Sequence, residues 1–274
     1  MRLERRETPV SGGGEGKPVL VFDSGIGGLS VLSAIRKLMP TQRLVYVADD
    51  AAFPYGNWKE DELSAHIVRL MGELIAAHDP AAVVIACNTA STLVLPPLRA
   101  KFSIPFVGTV PAVKPAAEQT KTGVIAVLAT SATIARDYTR KLIESFAQSA
   151  KVQLVAAPRL ATVAEDLLRG QPIDREVIRD EIAPCFVEID GKRTDIVVLG
   201  CTHYPFLIDE MNIVAPWPVI WLDPAPAIAR RLVSVLDGKI PGPDGKSVAL
   251  FTSGRPVPPR LQALLKNDGL NAAP

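Results

Sequence analysis

The strongest constraint on this chain is an alternation: short, almost wholly apolar runs separated by longer stretches with a helical period. Nine runs of four or five residues stand out, at 19–22, 44–48, 82–86, 105–108, 124–128, 152–156, 196–199, 219–222 and 248–251. A strand with one wet face alternates polar and apolar residues; runs without a polar phase suit strands covered on both faces, as in a parallel sheet between helices. The intervening stretches supply those helices. Over 60–78, Leu63, Ile67, Leu70, Met71, Leu74 and Ile75 share one face at spacings of three and four. Strand–helix alternation of this kind predicts α/β architecture with right-handed crossovers. The 24 prolines are expected mainly in connections, as at Pro96 and Pro97 and at Pro111 and Pro115.

One internal echo carries the functional reading. Val83-Val84-Ile85-Ala86-Cys87-Asn88-Thr89 reads much like Val197-Val198-Leu199-Gly200-Cys201-Thr202-His203. In both, an apolar strand ends in a small residue, then a cysteine, then two polar residues. The 274 residues are enough for two domains of about 100–150 residues each. The echo predicts two similar open-sheet α/β domains, 17–111 plus 224–274 around Cys87 and 112–223 around Cys201. The chain is expected to cross over near Pro111 and to return near Asp223 and Pro224.

In open α/β sheets ligands bind beyond the carboxyl ends of the strands, which is where both cysteines fall. A helix beginning after each cysteine would lower its thiol pKa through the free N–H groups of its first turn. Two thiols facing each other across one cleft suit a symmetrical task. One, as thiolate, takes a proton from a carbon while the other, as thiol, delivers a proton to the opposite face. The plainer alternative is two buried cysteines that only fill space.

Neighbouring motifs fit the first reading. Asp23-Ser24-Gly25-Ile26-Gly27-Gly28 follows the first strand, and its glycines allow backbone N–H groups to approach an anion. Ser30 breaks the dinucleotide fingerprint there. Pro54-Tyr55-Gly56 places a second loop at the same rim, with the Tyr55 hydroxyl and the Gly56 backbone available to a carboxylate. His203, two residues after Cys201, can act as acid, base or cation. Of the remaining candidates, His66 and His78 are expected at the surface, and Cys185 in the packing of a helical stretch over 181–189. A phosphatase would need an arginine six residues after its cysteine, where Leu93 and Leu207 stand. A zinc site is disfavoured because the cysteines lack clustered metal-ligand spacing.

Composition narrows the setting. A formal charge of +1 gives no electrostatic reason to expect nucleic acid or an acidic membrane surface. No apolar stretch approaches the roughly 18 residues of a membrane span, and residues 1–16 read as a charged, Gly-rich, disordered lead-in without a signal-peptide core. The chain is therefore expected in the cytoplasm, where thiols stay reduced, and its three cysteines, too few for a disulfide framework, each need their own explanation.

Taken together, Asp23-Ser24-Gly25-Ile26-Gly27-Gly28-Leu29, Phe53-Pro54-Tyr55-Gly56, Ala86-Cys87-Asn88-Thr89-Ala90 and Gly200-Cys201-Thr202-His203-Tyr204-Pro205 resemble the bacterial glutamate racemase family in order and spacing. The resemblance covers about residues 18–254. It implies two α/β domains facing each other across a central active-site cleft, and cofactor-free interconversion of L- and D-glutamate, the latter for peptidoglycan. It implies that Cys87 acts on the D-enantiomer and Cys201 on the L-enantiomer, with Asp23 and His203 as their respective partners. Ser24, Tyr55, Gly56, Asn88, Thr89 and Thr202, together with Asp23 and His203, match positions that hold the substrate; Thr130 and Thr133 are further candidates. No metal is implied, and a homodimer is. Asp50 departs from the pattern, standing where the family often has a hydroxyl residue. The nearest rivals are relatives of the same architecture acting on aspartate, hydantoins or maleate. From another class, the rival is a protein-binding regulator.

Overall fold

The computed structural model describes residues 16–237 and 245–272, so the expected disordered lead-in lies outside the described residues apart from Gly16. Each of the nine apolar runs forms a strand whose ends move by no more than one residue. Three further strands were not anticipated. In chain order they are β1 (Val19–Asp23), β2 (Leu44–Ala48), β3 (Ala82–Ile85), β4 (Phe106–Gly108), β5 (Val124–Ala129), β6 (Lys151–Ala156), β7 (Glu188–Ile189), β8 (Lys192–Arg193), β9 (Ile196–Gly200), β10 (Ile220–Leu222), β11 (Ser247–Phe251) and β12 (Leu270–Ala272).

They build two open parallel sheets and one small hairpin. The first sheet has the order β12-β11-β2-β1-β3-β4 and the second β10-β9-β5-β6. Every pairing within them is parallel. β7 and β8 pair antiparallel across Asp190 and Gly191, both at positive φ (52° and 72°), the Asp-Gly pattern that a tight hairpin turn favours.

Helices cover both faces of the first sheet. Leu29–Leu38, Ala225–Val235 and Pro259–Asn267 pack on one face, and Glu60–His78 and Asn88–Lys101 on the other. The helix Glu60–His78 shows why its residues choose this form. Glu60, Asp61 and Glu62 in its first turn complement the positive end of the helix dipole, and Leu63, Ile67, Leu70, Met71 and Leu74 are buried. It stops at Asp79, which takes a left-handed conformation (φ 43°) just before Pro80.

Four expectations need correction. Pro96 and Pro97 lie inside the helix Asn88–Lys101 rather than in a connection. Two helical N–H donors are lost there, yet Ala90, Val94 and Leu98 anchor both sides of the interruption in the core. Pro115 likewise sits in the first turn of the helix Val113–Gln119, where its missing N–H costs nothing. The helix expected over 181–189 ends at Ile182, and Pro184 sets the following short turn Ala183–Cys185; Cys185 is fully buried, as expected. Finally, β6 and β10 are edge strands of the smaller sheet and are partly exposed, unlike the doubly covered central strands.

No helix among the described residues is long and apolar enough to cross a membrane. Replacing the fully buried Ile67 by Ala leaves a cavity under the first sheet. The expected loss is about 2–5 kcal/mol of stability, read as a lower urea midpoint at unchanged slope. A midpoint equal to the parent's would contradict this account of the core.

Candidate active site

The carboxyl ends of the central strands of both sheets meet around one cavity of about 30 Å³. Cys87 follows β3 and caps the helix Asn88–Lys101, while Cys201 follows β9 directly. Both cysteines line this cavity. So do Ser24, Tyr55, Gly56, Asn88, Thr89, Thr130, Thr202 and His203; Asp23 and Thr133 stand behind the lining. Asn88 is buried with neither atom of its side-chain amide hydrogen-bonded, leaving a donor and an acceptor uncommitted at the wall.

The surroundings of the two thiols differ. Cys87 Sγ donates to the Ser24 hydroxyl at 3.7 Å. Burial pushes its pKa well up, the negative charge of Asp23 adds to this, and the Ala90 N–H at the helix start only partly opposes them. The expected lowering by the helix is therefore outweighed. Asp23, fully buried at the end of β1, is itself raised by burial. His203 charge and the N–H groups of Ser24 (2.7 Å) and Gly28 (2.5 Å) moderate that rise. Thr202 also donates to Asp23, at 3.3 Å.

Cys201 Sγ lies 3.7 Å from His203 Nδ1, and His203 Nε2 lies 3.0 Å from Glu165 Oε1. Burial opposes a charge on His203, but the hydrogen bonds to Cys201 and Glu165 outweigh it and hold the imidazole pKa well above its ordinary value. Burial would raise Glu165 too; the His203 contact, the Ile26 N–H at 2.7 Å and Arg169 bring it below the ordinary carboxylate value instead. Both directions favour a charge-paired Glu165–His203 contact, while the Gly27 N–H facing Nε2 at 3.2 Å opposes a proton there, because a protonated ring nitrogen cannot accept it.

Glu165 was missed by sequence reasoning. Its signal was present: in the helix Leu160–Leu168 it falls on the buried face with Ala161, Ala164 and Leu168, where a carboxylate is rare unless it is paired. Asp49 was missed as well, and it changes the reading of Tyr55. The Tyr55 hydroxyl donates to Asp49 at 2.6 Å, so it is committed to a protein carboxylate. Asp49 also contacts His66 Nε2 at 2.7 Å and accepts from Thr252 at 2.8 Å. His66 is thus a half-buried partner of Asp49, stacked on Trp58, rather than a free surface residue. His78 is also half-buried.

The glycine loop serves the protein's own side chains. Its N–H groups meet Asp23, Glu165 and His203, and a Cβ on Gly27 would overlap the His203 ring. Across the cleft, Thr89 Oγ1 lies 3.0 Å from Thr130 Oγ1 and 3.5 Å from Thr133 Oγ1, joining the two sheets' helices. Asp50 is buried but compensated: Arg169 and Arg255 each stand 3.4 Å from it. Among the described residues no three His, Cys, Asp or Glu side chains are grouped to hold a metal ion.

Comparison with known proteins agrees with this geometry. The Asp/Glu/Hydantoin racemase family model matches residues 29–232. Glutamate racemases of Brucella anthropi and Brucella canis are 64% identical over 221 residues and 57% identical over 244 residues, covering 80% and 88% of this chain and of their own lengths. The chain belongs to the glutamate racemase family. Among solved members, Escherichia coli glutamate racemase, crystallised with L-glutamate and the activator UDP-MurNAc-Ala, superposes with a TM-score of 0.86. It is 35% identical, and the match covers 94% of this chain and 97% of that one.

The ion pair has a measurable consequence. Glu165, depressed in the fold, adds stability above about pH 4.3 that is lost as acid protonates it. His203, raised in the fold, adds stability below about pH 6.5 that is lost as pH rises through its folded value. Glu165→Gln is therefore expected to destabilise most between about pH 4.5 and 6.5, and to lower the His203 pKa. Urea midpoints across pH and an NMR titration of the ring check both; an unmoved His203 titration would contradict the pairing.

Proposed function

We propose that this chain interconverts L-glutamate and D-glutamate without a cofactor, by a two-base transfer between Cys87 and Cys201. The observation that carries the reading is that both thiols line one cavity, each from the carboxyl end of a different sheet. In the L-to-D direction the Cys201 thiolate takes the α-proton. The bonding pair stays on Cα as a carbanion conjugated with the α-carboxylate. The Cys87 thiol then delivers its own proton to the opposite face, leaving Cys201 as thiol and Cys87 as thiolate. The reverse direction starts from that second form. The raised pKa of Cys87 suits it to rest as the proton donor, and a protonated His203 beside Cys201 suits that side to carry a thiolate.

The α-proton is a weak acid, so the developing carbanion needs preorganised donors in a site shielded from water. Asn88, with its uncommitted amide, and the hydroxyls of Ser24, Thr89 and Thr202 are suited to that task, with the Gly56 backbone beside them. Asp23 and His203 tune the two thiols and meet the substrate ammonium and carboxylate ends. Tyr55, held by Asp49, contributes shape rather than a free hydroxyl. A cavity of about 30 Å³ has room for a water or two. Glutamate is larger, so its entry requires the two sheets to part. The domains are taken as 17–111 plus 224–274 and 112–223, and the enzyme as a cytoplasmic homodimer supplying D-glutamate for peptidoglycan.

Cys87→Ser and Cys201→Ser are each expected to abolish racemisation while the circular dichroism spectrum stays that of the parent. Turnover in heavy water should place deuterium at Cα without added metal or pyridoxal phosphate. Full activity in either single variant, or racemisation of aspartate in preference to glutamate, would sink the reading.

A further inference from the structure

A chain of charges runs from the first sheet to the second and ends at His203. Asp50, in the turn after β2, has a side chain only 3% exposed. It accepts the Ser253 N–H at 2.9 Å and the Ser253 hydroxyl at 2.7 Å. Its remaining partners are Arg255, from the same half of the molecule, and Arg169. Arg169 caps the helix Leu160–Leu168, which packs with the second sheet, so the Asp50–Arg169 pair spans the cleft.

Arg169 divides its guanidinium. Nη2 faces Asp50 at 3.4 Å, and Nε donates to Glu165 Oε2 at 3.1 Å. The other Glu165 oxygen, Oε1, holds His203. The terminal torsion of a glutamate side chain is broad, so one anchored oxygen does not fix the carboxylate plane. Arg169 fixes the second oxygen. A long arginine is itself costly to immobilise, and a buried opposing charge is what holds it in place. A buried carboxylate without such partners would be strongly destabilising. A neutral hydroxyl at this position could accept a hydrogen bond but could not balance a guanidinium.

We infer that Asp50 is a positioning residue: by anchoring Arg169 across the cleft it fixes the Glu165 carboxylate that orients His203 beside Cys201. Its kinetic consequence rests on the proposed racemisation; its geometric consequence does not.

The test uses the full chain with Asp50→Asn, which keeps the shape and removes the charge, and with Arg169→Gln, which acts from the other side and serves if the first fails to fold. The three histidines allow the His203 ring to be followed by ¹⁵N–¹H NMR, with His66→Gln and His78→Gln for assignment. Both variants should shift the His203 ring signals alike, and the double variant should add nothing further. Glu60→Gln is the control. It breaks the Glu60–Arg136 ion pair, which also joins the two halves without touching Glu165, and should leave those signals in place.

Kinetically, kcat/KM should fall about tenfold in both directions, since an equilibrium constant of one forces the two values to remain equal. The side that has slowed is read from isotope effects instead. With Asp50→Asn, the primary effect of α-deuterium should rise for L-glutamate, whose proton Cys201 removes, and fall for D-glutamate. Unchanged His203 signals, an equal shift in the Glu60→Gln control, or isotope effects that move together would overturn the inference. A parent chain that leaves glutamate unracemised would overturn the proposed function alone, because the ring signals would still decide whether the anchor exists.

Discussion

The architecture depends on one close approach, between the backbone of residues 25–28 and the side chains of Glu165 and His203. A loop at the end of β1 in the first sheet donates the Ile26 N–H to a carboxylate that belongs to the second. Gly25 and Gly27 permit this because a Cβ at either would collide with Glu165 or His203. Glu165 is nearly buried, so each oxygen needs compensation, and its partners come from both halves of the molecule. Sliding one sheet past the other would strip these partners from a buried charge. The cleft is thereby held in register by the same groups that surround the chemistry.

A repeated sequence has yielded two unlike environments. Burial and the nearby Asp23 carboxylate raise the Cys87 pKa, against the opposing contacts of the Ala90 N–H and the Ser24 hydroxyl. Cys201 meets an imidazole whose pKa is held up, against burial, by its contacts with Cys201 and Glu165. Two thiols of equal proton affinity would leave the direction of the first transfer undefined. In the proposed two-base reaction, each thiol would have to serve as donor and as acceptor in turn. The asymmetry lies partly within the echo, where His203 stands against Thr89, and partly in Asp23 and Glu165, to which the echo does not extend.

Buried carboxylates crowd a site proposed for a substrate with two carboxylates of its own, and the structure answers each with its own partners. Asp49 is taken up by Tyr55, His66 and Thr252, Asp50 by two arginines and Ser253, and Glu165 by His203 and Arg169. Asp23 is cradled by backbone N–H groups and Thr202. What remains uncommitted at the cavity wall is neutral, with Asn88 the clearest case.

Much of this was legible without a structure, and for a physical reason. A strand covered on both faces must be apolar throughout, so its position is written locally; nine of the twelve strands among the described residues were legible as apolar runs, although β6 and β10 proved to be edge strands. The cysteines and the polar residues beside them sit at strand ends, and chain topology alone places such ends at a ligand cleft. The strand order, the prolines absorbed inside the helix Asn88–Lys101, and the edge exposure of β6 depended on packing between distant segments. So did the partners of Tyr55, His66, Asp50 and Glu165. A carboxylate's role is set by which charges and N–H groups reach it through space, and residues more than a hundred positions apart do so here. The sequence determined which atoms could do the chemistry; tertiary structure decided what surrounds them, because burial and through-space charge exist only once the two sheets have met.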